Sequence, residues 1–211
     1  MRAFMALLAL LAAACASQRP LPVRYDLDGS QVRPVSDPRL NATIALAPIQ
    51  APSWLRTTAL IYRLDYEAPA YPRAYVHSQW TAPPGELLTL RLRERIASVN
   101  DGFTLDRLRE DVEGYRLEIT LENFSQSFPA PDRSRCLVSL SATVVQHGGR
   151  ALAQKTFGVE RPAPSADAAG AVDCLTDAAD SDFEQILAWL RSTLPSHQAV
   201  AMTGSAQVPA R

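Results

Sequence analysis

The sequence predicts a single α/β domain of the α+β type: one mixed or antiparallel sheet of about five strands, with two helices packed on one face. Three observations carry this prediction. Residues 115–124 alternate strictly, with Tyr115, Leu117, Ile119 and Leu121 on one side and Arg116, Glu118, Thr120 and Glu122 on the other. That is the mark of a strand with one covered and one wet face. Residues 135–146 and 151–159 are two further strand-like runs separated by His147-Gly148-Gly149, a hairpin turn. Finally, residues 86–99 and 166–194 repeat their apolar positions at intervals of three and four, as amphipathic helices do.

In chain order, residues 43–48 form a short apolar strand, and residues 59–66 alternate, with Leu60, Tyr62, Leu64 and Tyr66 opposite Arg63 and Asp65. Pro83-Pro84 can open a helix, because the first turn does not need the missing N–H. In that helix Leu88, Leu92, Ile96 and Val99 form the buried stripe, while Arg91, Arg93, Glu94 and Arg95 fall largely off it. Asn100-Asp101-Gly102 ends it. In the strand at 135–146, Cys136, Val138, Leu140, Ala142 and Val144 are in phase. A proline-bounded connector, residues 161–164, leads to Ser165, a candidate cap for the last helix. There Val172, Leu175, Ala179, Phe183, Ile186, Leu190 and Leu194 form the stripe, and Pro195 follows. The expected order is strand-strand-helix-strand-strand-strand-helix, without internal repeats.

The length of 211 residues suits one domain with tails, and a net charge of −1 gives no field to gather nucleic acid. Of the 21 basic residues only Lys155 is lysine, a bias of genome composition rather than a binding surface. At the N-terminus, Met1-Arg2 precedes an unbroken apolar run from Ala3 to Ala14. The run is too short to span about 30 Å of hydrocarbon and has the length of an export signal. It ends in Leu11-Ala12-Ala13-Ala14-Cys15, the small-residue pattern before a cysteine that lipoprotein signal peptidase reads, with the leucine one place further out than is usual. Acylation of Cys15 by a diacylglycerol and an N-acyl chain such as palmitate would anchor the protein stably. The competing reading is an ordinary secretory signal with Cys15 incidental. Ala16 follows, with no aspartate to retain the protein at an inner membrane. By likeness to lipoprotein sorting rules, the expected site is the cell outer membrane, facing the periplasm. The expected organisation is a signal peptide at 1–14, a lipid-anchored tether with one short strand at 15–41, a folded domain at 42–195 and a disordered tail at 196–211.

Little in the sequence suggests catalysis. There is no GxSxG and, with nine glycines, little room for a phosphate loop. His77, His147 and His197 fall in expected loops or tail without metal-ligand spacing. Asp101, Asp106, Glu110, Asp111 and Glu113 read as a solvated loop surface. Cys136 and Cys174 lie on a strand's apolar phase and near the start of the last helix; in an oxidising compartment they can be a disulfide, or else two small buried residues. Trp54, Tyr71, Tyr75 and Trp80 crowd the segment before the first helix. They are candidates for a surface that binds a protein partner or acyl chains, or for a loop packed on the core.

The order of these features resembles a known family. A lipobox precedes Tyr25-Asp26-Leu27; a strand ending at Pro48 leads to Leu60-Ile61-Tyr62-Arg63. Then come Trp80-Thr81-Ala82-Pro83-Pro84, Leu87-Leu88-Thr89-Leu90, Tyr115-Arg116-Leu117-Glu118, Lys155-Thr156-Phe157 and Ala188-Trp189-Leu190. This set resembles the auxiliary lipoprotein component of ABC-type transport systems, the PqiC-like lipoproteins, over most of the chain beyond the signal. The resemblance implies a non-enzymatic subunit without cofactor or metal. Its partners would be an MCE-domain substrate-binding protein and the ABC permease and ATPase of one system, with a homo-oligomer also open. The system would move lipids or other hydrophobic molecules across the cell envelope, with this subunit docking at the outer membrane. A lipid-binding carrier, or an assembly or pilot lipoprotein of another machine, would share most of these features.

Overall fold

The computed structural model describes residues 21–27, 39–109 and 112–195. The strands are β1 (Val23–Tyr25), β2 (Ile44–Leu46), β3 (Ala59–Leu64), β4 (Arg73–Trp80), β5 (Thr104–Leu105), β6 (Tyr115–Ala130), β7 (Arg133–Gln146) and β8 (Ala151–Pro162). Helix α1 (Pro84–Val99) follows β4, and α2 (Ala168–Thr193) follows β8. All strands belong to one mixed sheet.

β6 is its axis. Along one edge its first half pairs in parallel with β2, Tyr115 opposite Ile44, and its second half pairs in parallel with β3, Gln126 opposite Tyr62. Along the other edge β7 runs antiparallel for almost the full length, and β8 runs antiparallel to β7. Gly148 and Gly149 make the β7–β8 turn with φ of 89° and 87°, a region that side chains disfavour and hairpin turns use. β4 returns antiparallel beside β3, and β1 lies parallel to the end of β4, Val23 opposite Ser78.

The alternating residues determine which face is covered. Leu117, Ile119 and Leu121 of β6 join Val138, Leu140, Ala142 and Val144 of β7 in one hydrophobic cluster. Leu88, Leu92 and Ile96 of α1 and Leu175, Phe183, Ile186 and Leu190 of α2 complete it. Each such side chain contributes roughly 1.5–3 kcal/mol by leaving water. On the opposite face Arg116 pairs with Glu118 at 2.7 Å, and Ser139 donates to Glu122 at 3.0 Å.

The class and the two helices agree with expectation, but the sheet has 8 strands rather than about five. β4 was not expected. Its register against β3 shifts between Ala59 and Ile61, so no regular alternation runs through the stretch, and Pro69 and Pro72 precede it. His77 therefore lies on a strand rather than in a loop. The cap of α2 is Asp167, whose side chain accepts from the Gly170 N–H at 2.8 Å, while Ser165 donates its hydroxyl to Asp167 at 2.7 Å. These bonds hold the Asp167 carboxyl below its usual pKa, the backbone one foremost.

Arg91 and Arg95 are also not at the surface. Both are buried between the helices: Arg91 grips Asp180 through two bonds of 2.7 and 2.8 Å, and Arg95 reaches the same carboxylate at 2.7 Å. Arg91 also donates to the carbonyl of Leu27, a buried residue just after β1. Asp26 adds an acceptor for Thr81 at 3.0 Å, so the segment around β1 is fastened to α1 and to the link between β4 and α1. A bidentate guanidinium–carboxylate pair is the arrangement that can bridge a buried seam.

Candidate interaction surface

Because β3 and the second half of β6 are parallel, their C-terminal ends meet at one end of the sheet. The β3–β4 turn, the β6–β7 turn, the end of β8 and the start of α2 all gather there. Asp65, just past β3, accepts from Ser127 of β6 and from Arg135 of β7, the latter at 3.1 Å; Arg135 also pairs with Glu160 of β8 at 2.8 Å.

Beneath this rim lies a polar layer. The β6 alternation breaks at a bulge between Leu121 and Asn123, after which Ser125, Gln126 and Ser127 are all buried. Tyr75 of β4 donates its hydroxyl to Gln126 Oε1 at 2.6 Å, and Gln126 Nε2 donates to Ser134 Oγ at 2.8 Å and to the Asp167 carbonyl at 3.2 Å. Burial raises the Tyr75 phenol well above its usual pKa, and the negative charge of Asp167 adds to this. The ring of Tyr62 lies 4.8 Å from that of Tyr75 and 5.8 Å from that of Phe128. An open cavity of about 490 Å³, lined by Pro129, Asp132, Arg133, Glu160 and Pro164 among others, sits between the β6–β7 turn and the start of α2.

The four aromatic candidates separate. Trp80 is 1% exposed and packs on Phe124 in the core, so it is not a docking residue; the loop expected there is a strand end turned inward. Tyr75 is half-buried in the polar layer. Trp54, in the short 3-10 turn Ser53–Leu55, is partly covered, with the Arg63 guanidinium 5.2 Å from its ring centre. Tyr71, in the β3–β4 turn, is 65% exposed. Tyr66 is exposed as well, and sequence reasoning missed Val76, Val23 and Leu21, which are also exposed. Val76 could have been found only by recognising β4 as a strand whose outer side the short β1 covers in part.

Cys136 of β7 and Cys174 of α2 form a disulfide, their Cα atoms 5.9 Å apart. His77 and His147 lie far apart in the fold, on β4 and in the β7–β8 turn. The sites of Cys15, Glu110, Asp111 and His197 lie outside the described residues, as do the expected signal peptide and tail. Among the described residues no group of three or more His, Cys, Asp or Glu is placed to hold a metal ion, and no helix is long and apolar enough to cross a membrane.

Comparison with known proteins gives the family. The family model of the ABC-type transport auxiliary lipoprotein component matches residues 25–187. The chain belongs to that family. No curated protein matches the sequence of this auxiliary lipoprotein. Among solved structures, protein XCC0632 from Xanthomonas campestris, of the DUF330 family, superposes with a TM-score of 0.69 at 18% identity, covering 86% of this chain and 100% of that one. An uncharacterized protein superposes with a TM-score of 0.61 at 14% identity, covering 81% and 99%. At such identities these likenesses concern the fold of the auxiliary lipoprotein alone.

Proposed function

We propose that this auxiliary lipoprotein is a non-enzymatic subunit of an MCE-type ABC transport system. It is held by an acylated Cys15 at the periplasmic face of the outer membrane. There it docks the system that moves lipids or other hydrophobic molecules across the envelope. The observation that carries this reading is the family match over residues 25–187. The apolar run before Cys15 supports the anchor. A lipid carrier is the weaker reading, because a carrier needs a deep apolar pocket, and the cavity of about 490 Å³ is shallow and open to solvent.

The test is capture of the full-length protein from crosslinked cells, with its companions identified by mass spectrometry. An MCE-domain protein together with a permease and an ATPase is the expected result. Recovery of a secretin or an outer-membrane assembly machine in their place would overturn the reading. Separation of inner and outer membranes checks the location independently.

A further inference from the structure

Seven large hydrophobic residues are exposed among the described residues, and five of them, Leu21, Val23, Tyr66, Tyr71 and Val76, fall on or just before β1, on β4 and in the β3–β4 turn, along one side of the sheet. Topology puts them there. β4 starts at the β3–β4 turn, which carries Tyr66 and Tyr71. β1 is parallel to β4 with Val23 opposite Ser78, so Leu21 and Val76, each two residues earlier, lie toward that same turn. Leu21 is 91% and Val76 82% exposed, more than an isolated surface residue requires. The remaining two, Leu90 on α1 and Phe103 beside β5, belong to other parts of the molecule.

The chain that enters this corner comes from Cys15, six residues before Leu21. Six residues reach at most about 20 Å. β6, with its 16 residues, is roughly 50 Å long. A leash this short holds the corner near whatever surface carries the Cys15 lipid and leaves the opposite end of the sheet, with the β7–β8 turn, beyond its reach.

We infer that this corner rests on the lipid bilayer itself, with Tyr71 and Val76 in the headgroup layer. The inference rests on the Cys15 anchor. Tyrosines with an apolar ring and a polar tip suit that layer. β1 covers only the Ser78–Trp80 part of the outer β4 edge. The backbone groups beyond it need water or headgroups to bond to, which keeps β4 at the interface and out of the hydrocarbon. The corner thus orients the domain, with the β7–β8 turn pointing into the periplasm toward the transport partners.

The experiment uses the full-length, acylated protein in phosphatidylethanolamine–phosphatidylglycerol vesicles. Single cysteines at Val76→Cys, Tyr71→Cys and, as controls, Leu90→Cys and Phe103→Cys carry an environment-sensitive fluorophore. Blue-shifted emission at 71 and 76 that is quenched by lipids brominated near the headgroup, with neither effect at 90 and 103, is the expected result. A blue shift that brominated lipid does not quench would place a second copy or another protein on the corner and overturn the inference. Water-like emission at all four sites in a protein whose intact mass includes the acyl chains would overturn the orientation alone. A mass lacking the acyl chains would overturn the anchor and the orientation with it.

Discussion

The two halves of β6 are built on different principles. From Tyr115 to Leu121 the strand alternates cleanly, and its inward side chains are apolar and buried beneath the helices. Beyond the bulge, Ser125, Gln126 and Ser127 are equally buried but polar: Ser125 donates to Asn123 of the same strand, and hydrogen bonds to Tyr75, Ser134, Asp167 and Asp65 hold Gln126 and Ser127. The first half needs only apolar area. The second needs partners from four other segments in correct geometry, because an unpaired polar atom there would be costly. The exposed edge and the open cavity of about 490 Å³ both lie beside the second half.

The largest effect is expected where the apolar half is cut. Leu121→Ala should destabilise by about 2–5 kcal/mol, since it leaves a cavity under both helices; urea unfolding measures it. Next is the staple of the polar half. Cys136 lies opposite Gln126, and its bond to Cys174 closes a separation of 38 residues. Replacing both cysteines by alanine should cost about 2–4 kcal/mol, and thiol counting before and after reduction checks the bond directly.

A pH series would sharpen the contrast from the other side. Asp182 is wholly buried on α2, with one carboxyl oxygen accepting from Gln185 at 3.5 Å, and burial pushes its pKa up to about 7. The folded state therefore holds this proton more tightly than the unfolded chain, whose aspartate titrates near ~3.9. The stabilisation is complete below about pH 4 and is lost as pH rises through about 7, a change on the order of a few kcal/mol. Asp182→Asn should flatten that slope and exceed the wild type in stability at neutral to alkaline pH. The smallest effects belong to the polar layer. Gln126→Ala should cost about 1–3 kcal/mol by leaving the Tyr75 hydroxyl without its acceptor and removing the bonds to Ser134 and the Asp167 carbonyl, and Tyr75→Phe about 1 kcal/mol. If Gln126→Ala instead costs less than Tyr75→Phe, the layer is not a connected network, and the contrast between the halves fails.

Legibility followed the same division. The first half of β6, the hairpin of β7 and β8, and the stripe of α2 were readable because each repeats a local period over many residues. β4 was not, because a register shift breaks its phase. Trp80 shows the cost: its packing on the core was one of two readings, and without β4 as a strand no phase of alternation decided between them. Arg91 and Arg95 read as a solvated helix edge, since their charge outweighs their position beside the Leu88 and Leu92 stripe. It is the approach of distant segments, Asp180 from the last helix and the Leu27 carbonyl from just after the N-terminal strand, that makes burying them tolerable.

By itself, the sequence determined the fold class, the two helices, the long antiparallel strands and a family likeness spread over ordered short motifs. These are encoded in local periodicity and chain order. The tertiary structure alone decided that β1 docks parallel to β4, that four aromatic candidates divide into one core residue, two partly covered ones and one exposed one, and that five exposed hydrophobics line up along β1, β4 and the turn before β4. Such facts depend on which distant segments become neighbours, and no local pattern records that.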